Sequence, residues 1–213
     1  MQEQIKQALN WRYATKKFDS QKKISAADWE VLAQSLIAAP SSYGLQPWKF
    51  FVVENPEVRR QLKAVSWDQT QVTEASHYVV LAYKEKLDVE HIQAFINQIA
   101  KVRGVPVESL DGYKNLMIEN LIVGPRSKTI EAWAQRQTYI AMGFLMETAA
   151  ILGVDSCPIE GLEPDKYDQI LNLNGSGWKT VAAVALGYRH TEDKYQSLKK
   201  VRFDAADVIT YVK

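Results

Sequence analysis

Residues 127–152 read SKTIEAWAQRQTYIAMGFLMETAAIL, and this stretch decides the class of fold. Ile130, Trp133, Ala134, Ile140, Ala141, Phe144, Leu145, Thr148, Ala149 and Leu152 recur at helical spacing, which makes one broad face apolar. Gly153 follows as the C-terminal stop. A helix this long and this apolar belongs at the centre of a core or at an interface. Around it, Trp48–Val53 (WKFFVV), Tyr78–Tyr83 (YVVLAY) and Val181–Leu186 (VAAVAL) read as strands. The last two are apolar without alternation, so both of their faces are buried. Shorter helices are predicted over residues 4–12, from Ser25 to Pro40, over Val58–Val65, over Asp88–Lys101 and after Pro164. Ser25 and Asp28 fit a capping box with aspartate in place of glutamate. Strands and helices are interspersed without strict βαβ alternation, which points to an α+β layered fold rather than a doubly wound parallel sheet.

The chain has 213 residues, 46% of them apolar and 24% charged. At about 150 residues per domain this is between one and two domains. No linker, low-complexity block or repeat divides it, so residues 1–213 are read as a single domain. Lysine and arginine number 26 against 25 aspartates and glutamates, a formal charge of +1. That balance argues against electrostatic capture of nucleic acid or an anionic membrane. The single cysteine, Cys157, allows no internal disulfide and no zinc cage. The first ten residues, MQEQIKQALN, lack the apolar core of a signal peptide, and no apolar run approaches the ~20 residues that span a bilayer. A soluble, cytoplasmic protein is expected.

Several chemistries have no residues to carry them. There is no G-x-S-x-G elbow, no P-loop and no H-E-x-x-H helix. His77, His91 and His190 lie far apart without ligand spacing, so no metal site is expected. Gly175-Ser176-Gly177 precedes a strand instead of joining strand to helix, so it reads as a turn and not as a dinucleotide fingerprint. Cys157, before Pro158 in an apolar setting, reads as a buried inert thiol.

Four scattered segments do carry candidates. In Arg12-Tyr13-Ala14-Thr15-Lys16-Lys17-Phe18-Asp19, an extended backbone puts Arg12, Ala14 and Lys16 on one side, where two cations could grip a phosphate. Pro40-Ser41-Ser42-Tyr43-Gly44-Leu45-Gln46-Pro47-Trp48 forms a rigid polar turn offering hydroxyl and backbone donors. Cys157-Pro158-Ile159-Glu160-Gly161 reads as a turn at a core boundary that could present backbone N–H groups. In Lys199-Lys200-Val201-Arg202, Lys200 and Arg202 share a face if the chain is extended. Taken singly, each is equally well a solvated loop or a connecting turn.

Taken together and in this order, with Ala75-Ser76-His77 and a central helix bearing Trp133, Gln137, Tyr139 and Gly143, they resemble the flavin-dependent nitroreductase family. More narrowly, the chain is similar to the oxygen-insensitive NAD(P)H nitroreductase branch, over about residues 5–205. The resemblance implies an α+β fold with a mixed, mostly antiparallel sheet flanked by helices, assembled as an intertwined homodimer with FMN at the interface. It implies Arg12 at the FMN phosphate and Lys16 toward the pyrimidine side of the ring, with Tyr13 and Ala14 in the same loop. Lys200 and Arg202 would bind the phosphate, and Pro158, Ile159, Glu160 and Gly161 would lie along the ring. Pro40, Ser41 and Ser42 would come from the partner subunit. The implied activity is ping-pong hydride transfer through flavin N5, from NADH or NADPH to a nitroaromatic, quinone or similar acceptor, with no catalytic side chain required.

The chain also departs from the family. Where a common pattern has Arg-His-Ser, it has Arg12-Tyr13-Ala14, one hydroxyl fewer. A flavin-contacting asparagine and lysine appear as Asp68 and Gln71, which removes a positive charge near the ring and implies a lower flavin potential. Residues 103–126 are expected, by analogy, to form a mobile cover. Two other readings remain open at this point: a flavin-binding sensor or carrier without efficient NAD(P)H turnover, and a cofactor-free structural dimer.

Overall fold

The computed structural model describes all of residues 1–213. In chain order the elements are α1 (Gln2–Trp11), α2 (Ala26–Ala38), β1 (Trp48–Val52), α3 (Pro56–Ala64), α4 (Gln71–Glu74), β2 (His77–Lys84), α5 (Val89–Arg103), α6 (Asp111–Ile118), α7 (Ile130–Ile151), β3 (Asp155–Ile159), α8 (Pro164–Ile170), β4 (Trp178–Gly187) and α9 (Ala205–Val208). The four strands lie in the order β1-β2-β4-β3, and every neighbouring pair is antiparallel. The sheet's mixed character comes from one isolated parallel bridge, Ala14 to Ser156.

Side-chain alternation explains the layers. Tyr78 and Val80 of β2, with Ala183 and Ala185 of β4, face a core closed by Leu62 of α3 and Tyr167 of α8. Val79, Leu81, Val184 and Leu186 face the other way, against Leu32 and Leu36 of α2 and Ala141, Leu145 and Ala149 of α7. Both faces are thus covered, as the unbroken apolar runs of β2 and β4 require. A third core gathers Ile92, Ile96 and Ile99 of α5 with Met117, Leu121 and Trp133.

Local signals set the boundaries. Asn55 caps α3 through Glu57 N at 2.8 Å, and Pro56 begins the helix. At α2 only half of the expected capping box forms: Asp28 N donates to Ser25 Oγ at 3.0 Å, while the Asp28 carboxylate meets the same hydroxyl and not the Ser25 backbone. Residues 125–129 form a separate 3₁₀ turn, so the long helix starts at Ile130 rather than at Ser127. Residues 103–126 are almost wholly helical, including a π-helical turn over Glu119–Val123, and the Tyr113 hydroxyl ties them to Tyr43 O at 2.8 Å.

One expectation is corrected. The Cys157–Gly161 segment is not a turn up to Ile159; it is most of a fourth strand, β3, paired with β4. Pro158 argued against a strand, but β3 lies at the sheet edge, where a residue without an N–H is tolerated. Part of the α7 stripe is also uncovered within one chain: Ile140 and Phe144 are exposed, as is Ile151 outside the stripe.

Leu145 is fully buried between α7 and the sheet. Leu145→Ala is expected to cost about 2–5 kcal/mol, the usual range for a large-to-small core change. Thermal unfolding at fixed protein concentration checks it, and an unchanged midpoint would show that the α7–sheet layer is not the core.

Candidate functional site

The site is built where the chain leaves α1. Arg12 ends the helix in extended conformation, its N–H donating to Ala8 O at 3.0 Å. The next residues run along the free edge of β3: Ala14 bridges Ser156, and Thr15 N donates to Ser156 O at 3.3 Å. Phe18 then turns into the core and bridges Arg189 beyond the end of β4.

Two buried carboxylates lock this path. Asp155 accepts from Arg189 N, Nε and Nη2 at 2.8, 2.9 and 2.6 Å, and from the Thr15 hydroxyl at 3.2 Å. Asp193, only 2% exposed, accepts from Lys16 N at 2.7 Å, Lys17 N and the Tyr13 hydroxyl at 3.1 Å, and Tyr195 N at 2.9 Å. Burial alone would raise the Asp193 pKa. The N–H donors of Tyr195, Lys16 and Lys17, with the Tyr13 hydroxyl, outweigh it and hold the carboxyl below its ordinary value. Tyr13 is pushed up to about 12, first by burial, with Asp193 adding to the effect.

Beside this loop lies a cleft of about 580 Å³ lined by 15 residues. Six of them are cationic (Arg12, Lys16, Arg189, Lys199, Lys200 and Arg202), and none is acidic. Arg189 is neutralised by Asp155, but Arg12, Lys200 and Arg202 have no carboxylate partner. Lys200 Nζ reaches only Leu9 O, and Arg202 Nη1 only its neighbour Val201 O. The Arg12 pKa is lowered by burial and then by Arg202; that of Lys200 is lowered by burial, then Arg12, then Arg202. These cations repel one another across a cavity of small-molecule size, an arrangement that favours an anion.

The aromatic lining comes from Trp11, Tyr13 and Tyr195. The Arg189 guanidinium lies 4.2 Å from the Trp11 ring centre and 4.6 Å from that of Tyr13, which fixes both rings at the cleft wall. Lys16 Nζ approaches Cys157 Sγ at 3.8 Å. Burial raises the Cys157 pKa against the pull of Lys16, so the thiol stays neutral and leaves the lysine charge uncancelled.

Of the residues singled out in the sequence, Arg12, Tyr13, Ala14, Lys16, Pro158, Lys200 and Arg202 share this cleft. The simple alternation expected of the first segment does not hold, since Tyr13 lines the cleft together with Arg12 and Ala14. Pro158 reaches the cleft, while its neighbours Cys157 and Ile159 turn into the core, as strand alternation dictates. A second group lies around the end of β3. Gly161 packs under the Trp67 ring so closely that an added Cβ would sit 2.7 Å from it, and Gly161 O accepts from Gln69 Nε2 at 2.9 Å. Glu160 pairs with the Tyr139 hydroxyl. Asp68 is exposed in left-handed backbone, φ 52°. Gln71 is buried, with Nε2 4.0 Å from Cys157 Sγ, so the sulfur links Gln71 to Lys16 across β3.

Pro40, Ser41 and Ser42 join neither group. Ser41 Oγ accepts from Gln46 N and Ser42 N donates to Gln137 Oε1, each at 2.9 Å. Sequence reasoning missed Trp11, Met146, Arg189, Asp193 and Tyr195. Only Arg189, placed just after a buried strand, carried a positional hint.

The sequence model of the Nitroreductase family matches residues 9–188. A presumed NAD(P)H nitroreductase of Staphylococcus haemolyticus is 37% identical over 219 aligned positions, covering 100% of this chain and 99% of the other. Among solved structures, a nitroreductase-like protein from Streptococcus mutans superposes with a TM-score of 0.84 at 19% identity, covering 100% of both chains. A presumed nitroreductase in complex with FMN, from Exiguobacterium sibiricum, superposes with a TM-score of 0.80 at 19% identity, covering 98% of this chain and 97% of the other.

Asp193→Asn keeps the shape of the anchor but replaces one acceptor oxygen with a donor facing backbone N–H groups. It is expected to cost about 1–3 kcal/mol at neutral pH. A depressed native pKa gives stability that is present above the unfolded value, about 3.9, and lost as pH falls through the native one. The gap between wild type and variant should therefore close below roughly pH 4. Denaturant titrations at several pH values read this, and a gap constant with pH would mean the carboxylate charge does not matter.

Proposed function

The chain belongs to the nitroreductase family, and we propose that residues 1–213 form one domain that holds FMN and uses NADH or NADPH to reduce nitroaromatic, quinone or similar small acceptors. The observation that carries this reading is the acid-free cluster of Arg12, Lys200 and Arg202 in a cleft of about 580 Å³. A phosphate dianion would relieve the mutual repulsion of these cations and take charge-assisted hydrogen bonds from each. The donor set fits FMN in that respect.

FMN, when bound, supplies the two-electron chemistry, accepting hydride equivalents from NAD(P)H and passing them to the acceptor. The side chains bind and tune. Lys16 offers its ammonium beside a neutral thiol, free to stabilise negative charge that develops on the pyrimidine edge of the ring. Pro158 walls the cleft without offering an N–H; the Ile159 side chain points into the core, so Ile159, Glu160 and Gly161 would meet the ring through their backbone. The Glu160 carboxylate is held by Tyr139, which leaves the backbone of this segment, not a general base, as its contribution. Gln71 and Asp68 bring no cation to the ring.

The same reading gives the chain a second copy as partner. Ile140, Phe144 and Ile151 on α7, Ile5 and Leu9 on α1, and Val31 and Ile37 on α2 are exposed apolar residues on helices packed against α7. A homodimer that buries them would bring Pro40, Ser41 and Ser42 to the partner's site and complete it. No helix is long and apolar enough to cross a membrane.

Replacing Arg12 and Arg202 together with alanine removes two charge-assisted contacts of about 1.5–3 kcal/mol each, a loss of roughly 10²- to 10⁴-fold in FMN affinity. Gel filtration followed by absorbance near roughly 450 nm checks retention. A double variant that keeps its flavin sinks the phosphate assignment. With one site serving donor and acceptor in turn, double-reciprocal plots should be parallel, and intersecting lines would exclude the shared site.

A further inference from the structure

A second cleft, of about 710 Å³, lies between the end of β1, the start of α3 and the start of β2. It shares no lining residue with the first cleft. At its floor is Arg59, 8% exposed, whose guanidinium donates from Nε to Val53 O at 2.8 Å, from Nη1 to Ala75 O at 2.6 Å and from Nη2 to Ser76 O at 3.2 Å. Three carbonyls tie the strand ends to α3 through this one side chain. They satisfy hydrogen bonds, but they do not cancel a buried charge, and two of the five N–H donors remain.

The rim adds positive charge. Lys23 and Lys63 have no acidic partner, and Arg60 is paired with Glu57. Glu54 is the one acid in the lining. His77, stacked on Trp29 at 4.3 Å, registers the imbalance: its pKa is lowered by burial, then by Arg59, with Lys23 adding and Glu54 opposing. Only two of the 11 lining residues are hydrophobic, so the cleft suits a polar ligand, and its volume is that of a small-molecule site.

We propose that this cleft is a second anion site, binding the phosphate of a polar small molecule through Arg59, Lys23 and Lys63 beside His77. A purely structural Arg59 explains the three carbonyl contacts. It does not explain why two unpaired lysines and a histidine converge on the same cavity in a chain whose net charge is only +1. The site is independent of the flavin assignment, because the two clefts have no residue in common.

The test is a titration of full-length protein, ¹⁵N-labelled at histidine, loaded with FMN and freed of unbound flavin, at constant ionic strength. The probes are inorganic phosphate and, separately, adenosine 5′-monophosphate. A saturable shift of the His77 ring resonances is expected, with His91 and His190 unmoved. The affinity should fall at least tenfold in the Lys23→Gln/Lys63→Gln double variant and stay unchanged in the Arg12→Ala/Arg202→Ala variant. Tighter binding of the nucleotide by tenfold or more assigns the site to a phosphomonoester metabolite; equal binding assigns it to free phosphate. No saturable His77 response by roughly 10 mM, well above a millimolar dissociation constant, overturns the proposal. So does a response that the lysine substitutions leave intact.

Discussion

The Asp155 carboxylate, buried at the start of β3, is the contact on which the first cleft depends. It holds Arg189 through the guanidinium and the backbone N–H together, and it holds Thr15 through the hydroxyl. Three distant parts of the chain meet there: the segment after α1, the edge strand, and the residues that follow β4. Arg189, once fixed, sits over Trp11 and Tyr13 and sets the aromatic wall. Removing one partner of a buried pair like this typically costs about 3–5 kcal/mol, because the other charge is left without compensation. The geometry of the wall and the stability of the sheet edge are therefore coupled.

The same economy of acids explains the electrostatics. Asp155 is committed to Arg189, and Asp193 to backbone N–H groups and the Tyr13 hydroxyl. Both carboxylates support the loop, and neither faces Arg12, Lys200 or Arg202. The loop gets its anchors without any acid entering the cleft. The repulsion left among the three cations is tolerable because Arg12 and Lys200 are only partly buried and Arg202 is exposed, and a bound dianion would convert it into attraction.

Much of this was legible in the sequence. The period of α7 and the apolar runs of β2 and β4 gave the layered α+β class, because helical and strand spacing leave distinct marks. The cleft residues Arg12, Lys16, Lys200 and Arg202 stood out as cation pairs at extended spacing. What could not be read was which acids the fold would bury. Asp193 lies in a charged, polar stretch with no local pattern to distinguish it from solvated neighbours, and its role exists only after the chain has returned to residues 13–17. Trp11 and Tyr195 were hidden for the same reason. Ile140 and Phe144 were read as part of an apolar face that belongs to a core or an interface, because periodicity reports which face is apolar and not what covers it.

Pro158 misled the reading of β3, and the same residue helps to open the cleft. The free edge of β3 pairs with Ala14 and Thr15 through Ser156. Pro158 has no N–H to extend that pairing, and the next backbone groups, Lys16 N and Lys17 N, donate to Asp193 instead. The first loop therefore leaves the sheet edge at Lys16, beside Cys157, rather than continuing as a fifth strand that would close over the space. The proline that made this segment look like a turn and the buried Asp193 carboxylate thus act together: one withholds an N–H from the edge and the other takes the N–H groups of the loop.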